Sequence, residues 1–318
     1  MPVPEALRHR LRLPAIAAPM FLVSGPELVL AACRAGIVGT FPSLNARTTE
    51  LLDAWLGRIG AASADPAGGQ PLPWGVNLIV HRSNVRLEAD LAAVVRHRVP
   101  LVITSLGDPA DVVRQIHAYG GLVFHDAIGV RHAKRAIAAG VDGIIAVAAG
   151  AGGHAGRQSP FSLVPELRRI WDGCLVVAGA IGDGRAIRAA EVLGADLAYL
   201  GTRLIATREA DAPDAYKAML VRSGADDVVY TDRVTGVFGN FLRPSLAAAG
   251  IDPTHVDGTS NAADLGLADE AKAWKTIWSA GHGVATIDDL PTVAELVERM
   301  AGEYAEACTL GASGALRT

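Results

Sequence analysis

Short apolar runs rich in β-branched residues recur through the first two-thirds of the chain. Each is followed by a segment whose apolar positions fall at helical spacing. Alternating or fully apolar runs of this length suit strands, and recurrence at three and four residues suits amphipathic helices. The pattern predicts strands at 15–19, 37–41, 74–79, 101–105, 122–126, 141–147, 175–178 and 197–200. Leu87, Leu91, Val94 and Val95 make a helical face behind Asn84, read as its N-cap. Eight strands alternating with helices predict a (β/α)8 TIM barrel.

The connections repeat weakly. Ala139-Gly140-Val141-Asp142-Gly143 echoes Leu193-Gly194-Ala195-Asp196-Leu197, and Ala35-Gly36-Ile37-Val38 is a looser relative. In each, glycine closes a helix just before a strand, as a repeated helix-to-strand junction requires. Residues 60–73, rich in Ala, Gly and Pro, read as a surface loop. After Thr207 the pattern changes, with scattered helical pieces, a Val228-Val229-Tyr230 run and many Gly and Asp residues. The expected organisation is a barrel over 1–207, a C-terminal helical excursion flanking the barrel mouth over 208–285, and a last helix in 286–318. That helix has Asp288 or Asp289 as cap and Pro291 in its first turn. Its apolar face, Val293, Leu296, Val297, Met300 and Tyr304, packs back on the barrel.

The 318 residues, 50% hydrophobic with a formal net charge of −4, can bury a core of barrel size. The charge provides no basic stripe for nucleic acid. Three cysteines, Cys33, Cys174 and Cys308, are too few and too scattered for a disulfide framework or a zinc site, which points to a reducing, cytoplasmic setting. The apolar run 13–23 behind Arg8, Arg10 and Arg12 mimics a leader peptide. Pro14 and Pro19 interrupt it, however, and the barrel needs it as a first strand. No run reaches the roughly 20 apolar residues of a membrane-spanning helix.

The chemistry concentrates at Ala149-Gly150-Ala151-Gly152-Gly153-His154-Ala155-Gly156, where the sixth strand ends. Its glycines let backbone approach a ligand closely, and His154 is the side chain able to move a proton near neutral pH. Barrel ligands sit at the carboxyl ends of the strands, with phosphate commonly on the loops after the seventh and eighth. Those loops are Gly179-Ala180-Ile181-Gly182 and Gly201-Thr202, read as helix-opening turns whose N–H groups face an anion, with the Thr202 hydroxyl as a further donor. His125 and Asp126 end the fifth strand and are expected at the mouth. Asn77, an amide inside an apolar run, calls for specific partners. Gly150-Ala-Gly152 and Gly182-Asp-Gly184 imitate a dinucleotide fingerprint but lie after several strand–helix units, where a Rossmann fold would not have them.

Taken in order, Ala18-Pro19-Met20, Gly-Val-Asn77, Ala151-Gly152-Gly153-His154, Ala178-Gly179-Ala180-Ile181 and Leu200-Gly201-Thr202 resemble the nitronate monooxygenase family. The resemblance runs over about residues 12–300. It implies FMN at the barrel mouth, with Ala18, Pro19 and Met20 along the isoalloxazine and Asn77 on its polar ring. It places Gly152, Gly179, Gly201 and Thr202 around the ribityl-phosphate end, with Gly153, Ala180 and Asp126 also cofactor-binding, although many relatives carry Lys where Asp126 stands. His154 would be the base for a nitroalkane or the group orienting a nitronate. The implied activity is oxidative denitrification of nitronates by O2 to a carbonyl compound and nitrite, without metal. Expected partners are that small substrate, O2 and a second copy of the chain as a homodimer, with neither nucleic acid nor membrane. Two alternatives stay open: an NAD(P)H-dependent FMN reductase of an enoyl thioester or quinone, and a non-catalytic flavin-binding barrel.

Overall fold

The computed structural model describes residues 3–8, 10–64, 71–252 and 275–310. Eight parallel strands close a barrel: β1 (Ala15–Ala17), β2 (Val38–Pro42), β3 (Trp74–Ile79), β4 (Leu101–Ser105), β5 (Leu122–Ala127), β6 (Gly143–Val147), β8 (Cys174–Ala178) and β9 (Leu197–Leu200). β9 returns to pair with β1. A two-residue strand, β7 (Gly153–His154), lies outside the barrel. Every predicted strand is present, within two residues of its expected bounds.

Strand alternation divides the apolar residues between two cores. Ile16, Val38, Ile103, Phe124, Ile145 and Val176 point inward and pack together inside the barrel. Their neighbours Val76, Leu78, Val102, Ile144 and Val177 point outward against the helices. Because both faces are buried, the strands read as nearly continuous apolar runs. α1 (Glu5–Arg8) closes the amino end, where Val3 and Leu7 join the inner cluster. Phe124, fully buried there, is a position where truncation to Ala costs about 3–5 kcal/mol.

Around the strands run α2 (Pro26–Ala35), α3 (Thr49–Ser63), α4 (Leu87–Arg96), α5 (Ala110–His117), α6 (Val130–Ala138), α7 (Pro160–Arg168) and α8 (Gly184–Leu193), with a short α9 (Thr202–Ile205) after β9. The repeated junction has a physical basis. Gly36, Gly140 and Gly194 take left-handed φ values of +93°, +84° and +110°, which end their helices. Asp142 and Asp196 then accept the amides of Val123 and Leu175, each at 2.8 Å, tying the entry of β6 to β5 and of β9 to β8.

Several expectations need correction. Gly60–Ser63 continue α3 instead of starting a loop, and 65–70 lie outside the described residues. The residue preceding α4 is Arg86; Asn84 instead accepts the Arg86 amide at 3.1 Å and donates to the Ile79 carbonyl at 2.8 Å. The excursion contains α10 (Asp214–Arg222) and α11 (Arg243–Ala248), but between them stands a hairpin, β10 (Val228–Thr231) and β11 (Gly239–Leu242). β11 also pairs with β7, so the glycine–histidine loop is the third strand of a small antiparallel sheet. Residues 253–274 of the excursion lie outside the described residues. The last helix, α12 (Val293–Thr309), is capped by Thr292 through a reciprocal box with Glu295, not by Asp288 or Asp289. Asp289 pairs with Arg203 and Arg299. Val293, Leu296, Val297 and Met300 are buried in a cluster that also holds Leu28 and Ala32 of α2 and Ile187 of α8. Among the described residues no helix is long and apolar enough to cross a membrane.

Candidate active site

On β3, β4, β5 and β9 the inward position near the carboxyl end of the strand is polar where the layers below are apolar. Asn77, Ser105, Asp126 and Tyr199 form the floor of a cavity of about 1130 Å³ that opens at this end of the barrel. Ala18, Pro19, Met20, Asn77, Asp126, Gly152, Gly153, His154, Gly179, Ala180, Gly201 and Thr202 all line it. The topology thus gathers every predicted site residue in one place, although they come from six separate stretches of sequence.

The floor is a directed chain of hydrogen bonds. Asn77 Nδ2 donates to the Ile103 carbonyl (3.2 Å) and to Ser105 Oγ (2.7 Å), which leaves its amide oxygen for a ligand. Ser105 Oγ donates in turn to Asp126 Oδ2 at 2.5 Å. Asp126 Oδ1 and the Tyr199 hydroxyl are buried with no hydrogen-bond partner among the described residues. Burial pushes the Asp126 carboxyl up to about 6 against the opposing pull of Ser105. It also pushes the Tyr199 phenol well above its usual range, helped by the nearby Asp126.

His154 is held from the opposite side. β7 pairs with β11, the Asn240 amide donates to the Ala151 carbonyl (2.6 Å), and the Tyr230 hydroxyl donates to the Ala155 carbonyl (3.1 Å). Thr235 Oγ1 lies 3.1 Å from His154 Nε2. Burial lowers the imidazole pKa, so the ring is neutral at and above neutral pH and able to accept a proton.

Most of the glycines serve loop packing. A methyl group at Gly152 would lie 2.9 Å from the Gly281 nitrogen, and one at Gly150 would lie 3.0 Å from His282 Nδ1. Gly281 donates to Thr202 Oγ1 (2.8 Å) and His282 to the Gly150 carbonyl (2.9 Å), which locks a third loop against the other two. Gly201 is different: a methyl there would find its nearest neighbours, Ala18 Cβ and Met20 Sδ, only at 3.9 Å, so it faces open cavity. The amides of Ile181 and Thr202 make no hydrogen bond among the described residues, and both residues line the cavity.

The expected contribution of α8 to an anion site is not borne out. Its first amides are taken by carboxylates: Asp183 accepts from Ala186 at 2.7 Å, and Glu303 of α12 accepts from Gly184 at 2.8 Å. The helix terminus faces α12, so only the turn before it lines the cavity. His125 and Asp126 also part company, since adjacent residues in a strand point to opposite faces. His125 meets Thr104 Oγ1 at 2.8 Å, and burial lowers it to about 4. The cavity continues past β5 to this histidine, to His132 and to Arg135.

Sequence reasoning missed Ser105 and Tyr199. Ser105 and Tyr199 carried a usable signal: both are polar inward positions at strand ends, as Asn77 is. Ser24 and Asn45 were also missed. Ser24 Oγ accepts from the Met20 amide (3.0 Å), and the Asn45 amide donates to the Met20 and Ser24 carbonyls (3.0 and 2.8 Å), clamping the Ala18–Met20 wall.

The sequence profile described as "Nitronate monooxygenase" matches residues 7–303. A nitronate monooxygenase of Paraburkholderia phytofirmans is 30% identical, with 91% of this chain and 92% of that protein covered. A (3aS,4S,5R,7aS)-5-hydroxy-7a-methyl-1-oxo-octahydro-1H-indene-4-carboxyl-CoA dehydrogenase of Rhodococcus jostii is 28% identical over 73% of this chain. The matched region spans only 63% of that relative's length. Among solved structures, the nitroalkane oxidase from Streptomyces ansochromogenes superposes with a TM-score of 0.82 at 26% identity, covering 96% of this chain and 99% of that one. FabK from Thermotoga maritima shares the fold, with a TM-score of 0.77 at 24% identity and 95% and 96% of the two chains covered. A profile that runs from the plug at the base of the barrel to its last helix settles the kinship: the chain belongs to the nitronate monooxygenase family of flavin-dependent oxidoreductases.

Proposed function

We propose that this chain binds FMN in the barrel mouth and catalyses oxidative denitrification of alkyl nitronates by O2 to a carbonyl compound and nitrite. The observation that carries this reading is His154, a histidine kept neutral by burial at the edge of the same cavity that Ala18, Pro19 and Met20 wall. The residues fit a flavin. Gly201 leaves open space, the amides of Ile181 and Thr202 are available to a phosphate, and Asn77 retains an acceptor for a ring N–H. When bound, the flavin supplies electron transfer between substrate and oxygen.

The protein's part is binding and proton handling. With a neutral nitroalkane, His154 takes the acidic α-proton; the negative charge then moves to the nitro oxygens, and the imidazolium beside them holds the nitronate. With a preformed nitronate no proton transfer is needed, so His154 orients the anion. The Thr235 hydroxyl at Nε2 fixes the orientation of the imidazole ring.

A second reading has specific support. The cavity extends to His132 and Arg135, farther than a small nitronate needs, and one relative is named for a CoA thioester. Reduction of an enoyl thioester at the expense of NAD(P)H would use this outer arm for the long substrate. Anaerobic mixing separates the readings: bleaching of the bound flavin by propyl-2-nitronate, followed by nitrite release in air, supports the first. Bleaching by NADH alone supports the second. For the first reading, His154→Ala loses turnover of neutral 2-nitropropane by about 10²–10⁴-fold and turnover of the preformed nitronate far less.

A further inference from the structure

Asp126 differs from the two buried aspartates of the barrel, Asp90 and Asp196. Asp196 is held by Arg168 and by the Leu175 amide, and Asp90 by Arg86 and Thr49. Among the described residues Asp126 has no cation paired with it. Its Oδ2 accepts from Ser105; its Oδ1 and the hydroxyl of Tyr199 are shut off from solvent and have no hydrogen-bond partner among the described residues. Ser105 cannot relieve this by turning, because Asn77 Nδ2 already occupies its acceptor side and fixes its proton toward Asp126. A carboxylate placed so is costly, and a carboxylic acid is not.

Among the described residues the surroundings offer no other compensation. β3 contributes Asn77, β4 Ser105, β9 Tyr199 and β7 His154, whereas Ile145 and Val147 of β6 and Val176 and Ala178 of β8 are apolar. His81, Asp108, His132 and Arg135 belong to the loops and to α6, and His125 to the opposite face of β5. Among the described residues burial and the Ser105 hydrogen bond set the charge of Asp126, and burial prevails. An aromatic ring system seated on this floor removes the remaining water and strengthens the prevailing effect.

We propose that Asp126 takes up a proton when the flavin fills the cavity, so that cofactor binding is linked to protonation of the barrel floor. The inference rests on the flavin reading above. Its consequence is that FMN affinity weakens with rising pH, as a proton must be supplied from solvent. Above the free-state value of about 6, the affinity ratio between parent protein and Asp126→Asn falls by close to tenfold per pH unit until the bound-state value is reached.

The test is calorimetric titration of FMN into the apoprotein at several pH values, in two buffers of different ionisation enthalpy. At pH 7.5 the parent is expected to take up close to one proton more per FMN than Asp126→Asn, whose neutral amide has nothing to titrate. Taking the ratio to Asp126→Asn cancels ionisation of the FMN phosphate and of His154. In Ser105→Ala, which removes the bond favouring the carboxylate, the pH at which affinity begins to fall is expected to move upward. This second variant decides the matter if Asp126→Asn does not fold. Equal proton uptake in parent and Asp126→Asn, or an unmoved profile in Ser105→Ala, overturns the proposal and leaves the flavin reading standing. Failure of all three proteins to bind FMN overturns both.

Discussion

Gly281→Ala tests whether the three glycine loops form one packed unit. An added methyl group would lie 2.8 Å from the Gly152 nitrogen and 3.1 Å from the Ala151 carbonyl carbon, and closer still to the Gly150 carbonyl oxygen. All three are backbone atoms, so no side-chain rotation relieves the clash and the loops must separate. Separation stretches two hydrogen bonds, Gly281 to Thr202 Oγ1 (2.8 Å) and His282 to the Gly150 carbonyl (2.9 Å). Two such bonds at about 0.5–1.5 kcal/mol each, with about 1–3 kcal/mol of overpacking, give a cost of about 2–6 kcal/mol. Urea melts of the apoprotein should show this loss. FMN affinity should weaken by at least about tenfold, because the Thr202 hydroxyl and the turn beside it lose their support. Gly302→Ala in α12 is the matched control: nothing lies within 4 Å of the added methyl, and helix propensity predicts a gain of about 0.5–1 kcal/mol. A Gly281→Ala protein within about 0.5 kcal/mol of the parent, with unchanged FMN affinity, would refute the argument that these glycines exist for loop packing.

Three further predictions follow from individual groups. Glu303→Ala strips the carboxylate from the Gly184 amide and should cost about 1–2 kcal/mol in urea melts while leaving FMN affinity unchanged, because the α8 terminus faces α12 and not the cavity. Initial rates with neutral 2-nitropropane should be flat above about pH 6.5 and fall at lower pH as His154 gains a proton, with no such fall attributable to His154 for preformed nitronate. The stability linkage of His154 has the same sign: the unfolded chain protonates first, so stability is lost as pH drops below the unfolded value of about 6.5. Finally, a thiol reagent should label one cysteine in the folded protein and three in denaturant. Cys308 is exposed, whereas Cys33 and Cys174 are buried and burial pushes Cys33 up to about 12.

The barrel was legible because its signals are local. Inward–outward alternation, helical spacing and a left-handed glycine before each of several strands all act within a few residues, and Asp142 and Asp196 repeat one junction in two places. The candidate residues were legible for a related reason, since a strand end in a closed barrel has one place to point. What joins them was not legible. The Asn77–Ser105–Asp126 chain exists because separate strands meet in one layer, and nothing in any single strand announces it. The hairpin that pairs with the His154 loop lies up to 89 residues away, where Val228-Val229-Tyr230 was a strand signal without a partner in view. The first turn of α8 resembled an open anion site until Glu303, 119 residues later, filled it. Sequence by itself determined which segments become strands and helices and which face each side chain takes, because those choices depend on backbone sterics and burial over one or two turns. Tertiary structure alone decided which polar atoms are satisfied, which are left over and what charge they carry, because desolvation and long-range hydrogen bonds arise only when distant segments come to share a cavity.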